Sequence, residues 1–192
     1  MPKQESLWKL TTKNWTTRNN TKWGPNVTHI AYGKGELCTS HWLHAYRNPV
    51  LAVIIDPAHG SFGEQGILWE ARGIVERSDG LKVGCTTLTT VKVIEKPKVS
   101  IEQKVAFGIL CSLEVYRDEK FQIWAKNWLS GKDRTRKSAA AADYAAAYAA
   151  YAAAAAAYAD DAAYAAYAAS SAKIAGFNIN FEDILEKALK IK

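Results

Sequence analysis

The sequence is short of the features that mark secreted proteins. It has three cysteines in 192 residues, Cys38, Cys85 and Cys111, an odd and sparse set that is typical of reduced thiols and not of a disulfide framework. The first ten residues, MPKQESLWKL, contain no apolar stretch of the kind that a secretory signal requires. These features together predict a cytoplasmic protein.

Long apolar runs are also missing. The longest candidate is the alanine-rich tract over 138–175, which is interrupted by Asp143, Asp160 and Asp161. Alanine is only weakly apolar, and carboxylates inside a bilayer are costly. We therefore predict no membrane-spanning segment and no membrane partner.

No complete signature of catalysis or cofactor binding is present. The sequence has no Walker loop, no Rossmann fingerprint, no G-x-S-x-G and no H-E-x-x-H. Cys38, His41 and His44 form C-x2-H-x2-H, but this histidine spacing fits neither a helical i,i+4 pair nor a usual zinc finger. We predict no metal and no cofactor, and we favour a function without catalysis.

Acidic residues are scarce in the first part of the chain. The net charge is +6, and no Asp or Glu lies between Glu5 and Glu36. Residues 1–137 hold 21 Lys+Arg against 13 Asp+Glu, whereas residues 138–192 hold 4 against 6. A positive field of this kind favours an anionic partner.

The segment KLTTKNWTTRNNTKWG, residues 9–24, interleaves bases with tryptophans. Bases that pair with phosphates, beside rings that stack on nucleobases, are typical of sites for nucleotides or single-stranded nucleic acid. The alternative is a solvated basic loop beside tryptophans that belong to the core. The predicted binding patch consists of Lys9, Lys13, Trp15, Arg18, Lys22 and Trp23.

Residues 138–175 contain little except alanine and tyrosine. Alanine is the strongest helix former, so the tract predicts one helix over 133–175. We expect its tyrosines to supply most of the docking free energy, because alanine buries little surface. The tract then either packs on the protein's own helices or forms a seam for a partner or a second copy. The predicted contact stripe consists of Tyr144, Tyr148, Tyr151, Tyr158, Tyr164 and Tyr167.

The remaining patterns predict an α+β protein, with a small mixed or antiparallel β-domain over 1–97 and a helical region over 98–192. Alternation and turn residues dominate the first part, and Asn48-Pro49 is typical of a helix start. Ser100 and Gln103 have capping-box spacing. The helices predicted in the second part cover 101–116, 118–129, 133–175 and 181–191.

The segment ELCTSHWLHAYRNPVLAV, followed by LWEARGIVE and GLKVGCTTLT, resembles an uncharacterised domain of phage and prophage proteins. The resemblance covers about residues 7–97, and the alanine-rich tail with FEDILEKAL extends it. It implies a phage accessory protein that binds a host protein, nucleic acid or nucleotide, including as an inhibitor of host antiviral defence. The family brings no established activity. The matched residues are Cys38, Trp42, His44, Ala45, Asn48 and Pro49.

The aromatic-His segment before the Asn-Pro helix start also resembles small ADP-ribosyltransferase-like folds. This second resemblance implies an alternative, a nucleotide-handling enzyme in which His44 and Tyr46 contact a dinucleotide. Glu70 or Glu76 would orient the ribose, and their even spacing on one strand places both on the same face. The alternative therefore predicts a pocket formed by these four residues.

Overall fold

The structure, a computed structural model, describes residues 3–135, 138, 159–174 and 176–192. The chain divides into two compact units, Met1–Lys98 and Val99–Lys192. The first unit contains an antiparallel sheet of five strands, and the second is built from helices. The predicted α+β class is therefore confirmed.

The sheet of the first unit returns to its own first strand. Its order is β1-β4-β5-β2, and β3 pairs with β5 beside β2. A bridge between Trp8 on β1 and Tyr46, directly after β3, then connects the end of this path to its beginning. The elements are β1 (Glu5–Thr11), β2 (Val27–Ile30), β3 (Leu43–Ala45), α1 (Pro49–His59), β4 (Ile67–Ser78) and β5 (Val83–Ile94).

Local sequence signals explain where α1 begins and where the β4–β5 hairpin turns. Asn48 caps α1 by accepting a hydrogen bond from the Val50 amide at 2.8 Å, and Pro49 occupies the first helical turn, where its missing N–H costs nothing. The β4–β5 hairpin turns at Asp79, whose carboxylate accepts from the amides of Leu81 and Lys82. The interior holds a cluster formed by Leu7, Trp23, Ala45, Ala71, Val83, Cys85 and Leu88.

The second unit is organised around one buried helix. The helices are α2 (Ile101–Val115), α3 (Glu119–Leu129), α4 (Ala159–Ile174) and α5 (Phe181–Leu189). Ser100 and Gln103 form a capping box at the start of α2, which satisfies amides that the first turn leaves without partners. Both α4 and α5 pack against α2.

Alanine, and not tyrosine, forms the buried face of the described part of the Ala/Tyr tract. Tyr164 is 42% exposed, so the expectation that tyrosines dock this helix does not hold at this position. Small side chains let α4 approach α2 closely, and this contact replaces ring burial. The buried residues of α4 are Ala163, Ala165, Ala166, Ala169 and Ser170.

Much of the predicted 133–175 helix lies outside the described residues. Tyr144, Tyr148, Tyr151 and Tyr158 fall there, as does the side chain of Tyr167. Residues 133–135 are described and are not helical. Asp133 instead accepts hydrogen bonds from the Thr135 amide and hydroxyl, which form a turn. Within the part of the chain that the structure describes, no helix combines the length and apolarity needed to cross a membrane.

Candidate nucleic-acid interface

Residues 12–23, here called the basic loop, are held by their own hydrogen bonds. The hydroxyls of Thr12 and Thr16 lie 2.7 Å apart, and the Trp15 amide donates to the Thr12 carbonyl at 2.9 Å. The Trp23 amide donates to the Trp15 carbonyl at 2.7 Å, and Thr16 forms a bridge with Lys22. The loop is thus ordered before any partner arrives.

Three residues of the basic loop adopt a left-handed backbone. Asn19 and Asn20 have φ values of 59° and 54°, which asparagine tolerates. Trp15 has φ of 63°, an unfavourable conformation for a bulky residue that the surrounding hydrogen bonds maintain. The result is a fixed indole, packed edge-on against Trp69 with ring centroids 5.2 Å apart and still 38% exposed.

Four residues of the predicted patch lie together on the basic loop at the surface. Lys13, Arg18 and Lys22 are exposed on the same loop as Trp15. The Lys22 ammonium donates to the Asn14 carbonyl, which restricts the side chain but leaves two of its three N–H donors for another acceptor. The loop can therefore offer cations for phosphates and one ring for stacking.

Lys9 and Trp23, the other two members of the predicted patch, are interior residues and cannot meet a partner at the surface. Lys9 is 8% exposed and Trp23 2%. The Lys9 ammonium donates to the His44 carbonyl at 2.7 Å and lies 5.2 Å from the centre of the Trp23 ring. Burial lowers the pKa of Lys9 to about 8, against the weaker opposing effect of Cys85.

Tyr32 is an exposed aromatic residue that sequence reasoning missed. Its ring is 71% exposed, with the Lys34 ammonium 5.0 Å from the ring centre and the His41 ring 6.3 Å away. The available signal was the sequence Tyr-Gly-Lys-Gly, in which an aromatic residue and a base flank a flexible turn. The interleaving of bases and rings thus continues past the basic loop.

His44 and Tyr46, from the alternative pocket, are part of a buried polar cluster. A ring nitrogen of His44 bonds to the Leu37 carbonyl, and Tyr46 stacks on His59 at 6.3 Å between centroids. Burial, aided by Lys82, lowers the pKa of His44 to about 4 and that of His59 to about 3. Burial also raises the pKa of Tyr46 above its ordinary value. All three rings are therefore neutral near pH 7.

The structure does not bring Glu70 and Glu76 to this cluster. Glu70 pairs in register with Trp8 on β1, and Trp8 separates it from Tyr46. The Glu70 carboxylate forms an ion pair with Lys92 at 3.2 Å. Glu76 lies at a register shift of β4, where its carboxylate accepts from the Thr86 hydroxyl at 3.0 Å. Each acid thus has a partner of its own on β5.

The donors of the C-x2-H-x2-H segment have separate partners. Cys38 accepts from the Lys82 ammonium at 3.0 Å, and a ring nitrogen of His41 lies 3.1 Å from the Lys34 carbonyl. His44 bonds to a third group, the Leu37 carbonyl. Among the side chains that the structure describes, no group of three or more His, Cys, Asp or Glu residues could hold a metal ion.

Comparison with known proteins found no matching family model, no matching curated protein and no matching solved structure. The two resemblances derived from the sequence therefore stay predictions.

Proposed function

We propose that this protein is a non-enzymatic binding protein whose ligand is single-stranded nucleic acid, held at the basic loop. The observation that supports this proposal is a single loop, ordered by its own hydrogen bonds, that exposes Lys13, Arg18 and Lys22 together with the ring of Trp15. The two elementary contacts of a single strand, phosphate to cation and base to ring, both have a counterpart there.

Preorganisation is what makes the loop suited to binding. Ordering a flexible loop on binding costs free energy that subtracts from affinity. Here the left-handed Trp15 and the hydrogen bonds of Thr12 and Thr16 have already fixed the backbone. A single strand is favoured over a duplex because its unstacked bases can lie on an aromatic ring.

The enzymatic alternative has less support from the geometry. An ADP-ribosyltransferase-like reading requires His44, Tyr46 and an acid to converge on a ligand. Tyr46 is 6% exposed, and each predicted acid contacts another partner, Lys92 for Glu70 and Thr86 for Glu76. Neither acid therefore completes a site with His44 and Tyr46.

The resemblance to phage and prophage proteins supplies the biological setting of the proposal. In that setting the protein is an accessory factor that meets host or viral single strands in the host cytoplasm. Sequestration of such strands would be one way of blunting a host defence.

A charge-reversal experiment tests the proposal. The triple variant Lys13→Glu, Arg18→Glu, Lys22→Glu replaces exposed bases of the loop, so we expect it to lose at least about ten-fold in affinity for a fluorescein-labelled single-stranded oligonucleotide at low salt. The measurement is fluorescence anisotropy with the full-length protein. Circular dichroism melting shows whether the variant is folded.

The matched control reverses three exposed bases of the second unit, Lys120, Lys126 and Lys132. It changes the net charge by the same amount and should retain most of the affinity. If both triple variants lose the same affinity, the loss reflects net charge alone, and this outcome would contradict a site at the basic loop. Failure of the wild-type protein to bind at low salt would overturn the proposed function.

A further inference from the structure

We infer that a bound single strand continues from the basic loop along the free edge of β2 to a second stacking site. That site, here called the Tyr32 site, consists of Tyr32, Lys34 and His41. The inference rests on the proposed function and adds the path of the strand and the residue that holds its far end.

The Tyr32 site is fixed in place by the backbone around it. The Gly33 amide donates to the His41 carbonyl at 2.8 Å, and a ring nitrogen of His41 lies 3.1 Å from the Lys34 carbonyl. Gly33 has φ of +71°, and a Cβ there would lie 2.4 Å from the Thr86 methyl group. Another residue would meet both the left-handed backbone and the Thr86 methyl group, so this turn strongly favours glycine.

The ring and the cation of the Tyr32 site match the two contacts of the basic loop. Tyr32 is 71% exposed, and the Lys34 ammonium lies 5.0 Å from its centre. Base stacking on an aromatic side chain contributes about 1–3 kcal/mol per base. When a base stacks on the Tyr32 ring, the Lys34 ammonium can move from the ring to the adjacent phosphate.

Strand β2 connects the two sites. The Trp15 ring lies beside Gly24, three residues before β2 begins at Val27, and β2 ends at Ile30, two residues before Tyr32. The five residue steps from Val27 to Tyr32 span roughly 17 Å at the usual rise of a strand. This separation accommodates a few nucleotides, within the range of known single-strand sites.

The edge between the two sites is open within the part of the chain that the structure describes. In the strand order, β2 is terminal and pairs only with β5. The Ala31 amide points to β5, where it donates to the Thr86 carbonyl at 2.8 Å. By alternation, the backbone groups of Thr28 and Ile30 point away from the sheet. Ile30 is 82% exposed, so it can contact a ligand directly.

Charge complementarity favours a nucleic acid over a peptide strand or a second copy at this edge. No acidic residue lies between Glu5 and Glu36, and bases stand at both ends of β2. The neighbouring acid Glu76 accepts from the Thr86 hydroxyl on β5. A polyanion therefore gains attraction at both ends of the path, whereas the edge of a second copy brings the same positive charge against it.

The test compares a short and a long oligothymidylate, of about 4 and about 12 nucleotides, by fluorescence anisotropy. The wild-type protein should bind the long strand more tightly, because both sites act on one molecule. Tyr32→Ala should lower the affinity for the long strand about ten-fold and leave that for the short strand unchanged. Tyr32→Phe retains the ring and should bind both strands as the wild type does. Trp15→Ala should lower the affinity for both strands.

The outcomes separate this inference from the proposed function. If Tyr32→Ala binds the long strand as tightly as the wild type does, the path along β2 is overturned while the basic loop stands. If the wild-type protein binds neither strand, both are overturned. If light scattering shows a wild-type dimer that Ile30→Lys converts to monomer, the edge belongs to a second copy and the inference also fails.

Discussion

At the scale of single residues, the direction in which a side chain points decides its role. Lys9 belongs to a run of bases and tryptophans, but it lies on β1 two positions from Leu7 and so shares the face of a core residue. Its carbon chain is buried, and its ammonium bonds to the His44 carbonyl. Lys13 belongs to the same run of bases and tryptophans, but it is exposed to solvent because it lies in the loop after β1.

The buried ammonium of Lys9 predicts a pH dependence of stability. Its pKa is lowered from 10.5 to about 8 in the folded protein, so the unfolded chain binds the extra proton between these values. Burial of the charge therefore costs stability below about pH 8, and the cost decreases as the pH rises toward 10.5. Relative to Lys9→Met, the wild-type protein should gain about 2 kcal/mol in free energy of unfolding between pH 7 and pH 10.

Urea denaturation of both proteins at the two pH values measures this gain, and taking the difference cancels groups that titrate in both. Lys22→Met is the matched control, since it makes the same replacement at an exposed lysine of the neighbouring loop. If the free energies of unfolding of the wild-type protein and Lys9→Met differ by the same amount at both pH values, Lys9 is solvated in the folded state.

At the scale of elements, local signals predicted where helices begin better than how they pack. The capping pairs at Asn48 and Ser100 form as their spacing indicates, because a cap depends on residues only a few positions apart. The prediction that Glu70 and Glu76 lie on one face also used only a local signal, their even spacing along one strand. Register shifts in β4 lie between them, and a bulge changes the face on which later residues lie.

Close packing of α4 on α2 predicts that adding volume to the alanine face is more damaging than removing a ring from the exposed face. Ala166 is fully buried, whereas Tyr164 is 42% exposed. We expect Ala166→Leu to lower the free energy of unfolding by about 1–3 kcal/mol. Tyr164→Ala should change it by about 0.5 kcal/mol or less.

Urea unfolding of the full-length variants provides the measurement for this pair. A large loss on Tyr164→Ala together with a neutral Ala166→Leu would restore the tyrosine stripe as the docking face of this helix.

At the scale of the whole molecule, charge is distributed so that the first part of the chain carries the positive field. Binding of a single strand through phosphates releases counterions, so the logarithm of affinity falls with the logarithm of salt by about 0.7 for each phosphate neutralised. For a strand short enough to occupy the basic loop alone, the exposed bases Lys13, Arg18 and Lys22 then predict a slope of roughly −2.

Anisotropy titrations between about 50 and 200 mM salt give this slope. The reversal variant at Lys120, Lys126 and Lys132 should keep it, and single replacements in the basic loop should each reduce it by about 0.7. A slope near zero in the wild-type protein would show that binding, if present, does not depend on phosphate contacts.

The sequence by itself determined the α+β class, the helix caps, the positive field and the basic loop as a candidate surface. These properties depend on composition or on residues close together in the chain. Tertiary structure alone decided that Lys9 and Trp23 are interior, that Glu70 and Glu76 meet Lys92 and Thr86, and that Tyr32 is exposed just after β2. Each of these outcomes depends on strand register and on partners distant in sequence, which no local pattern encodes.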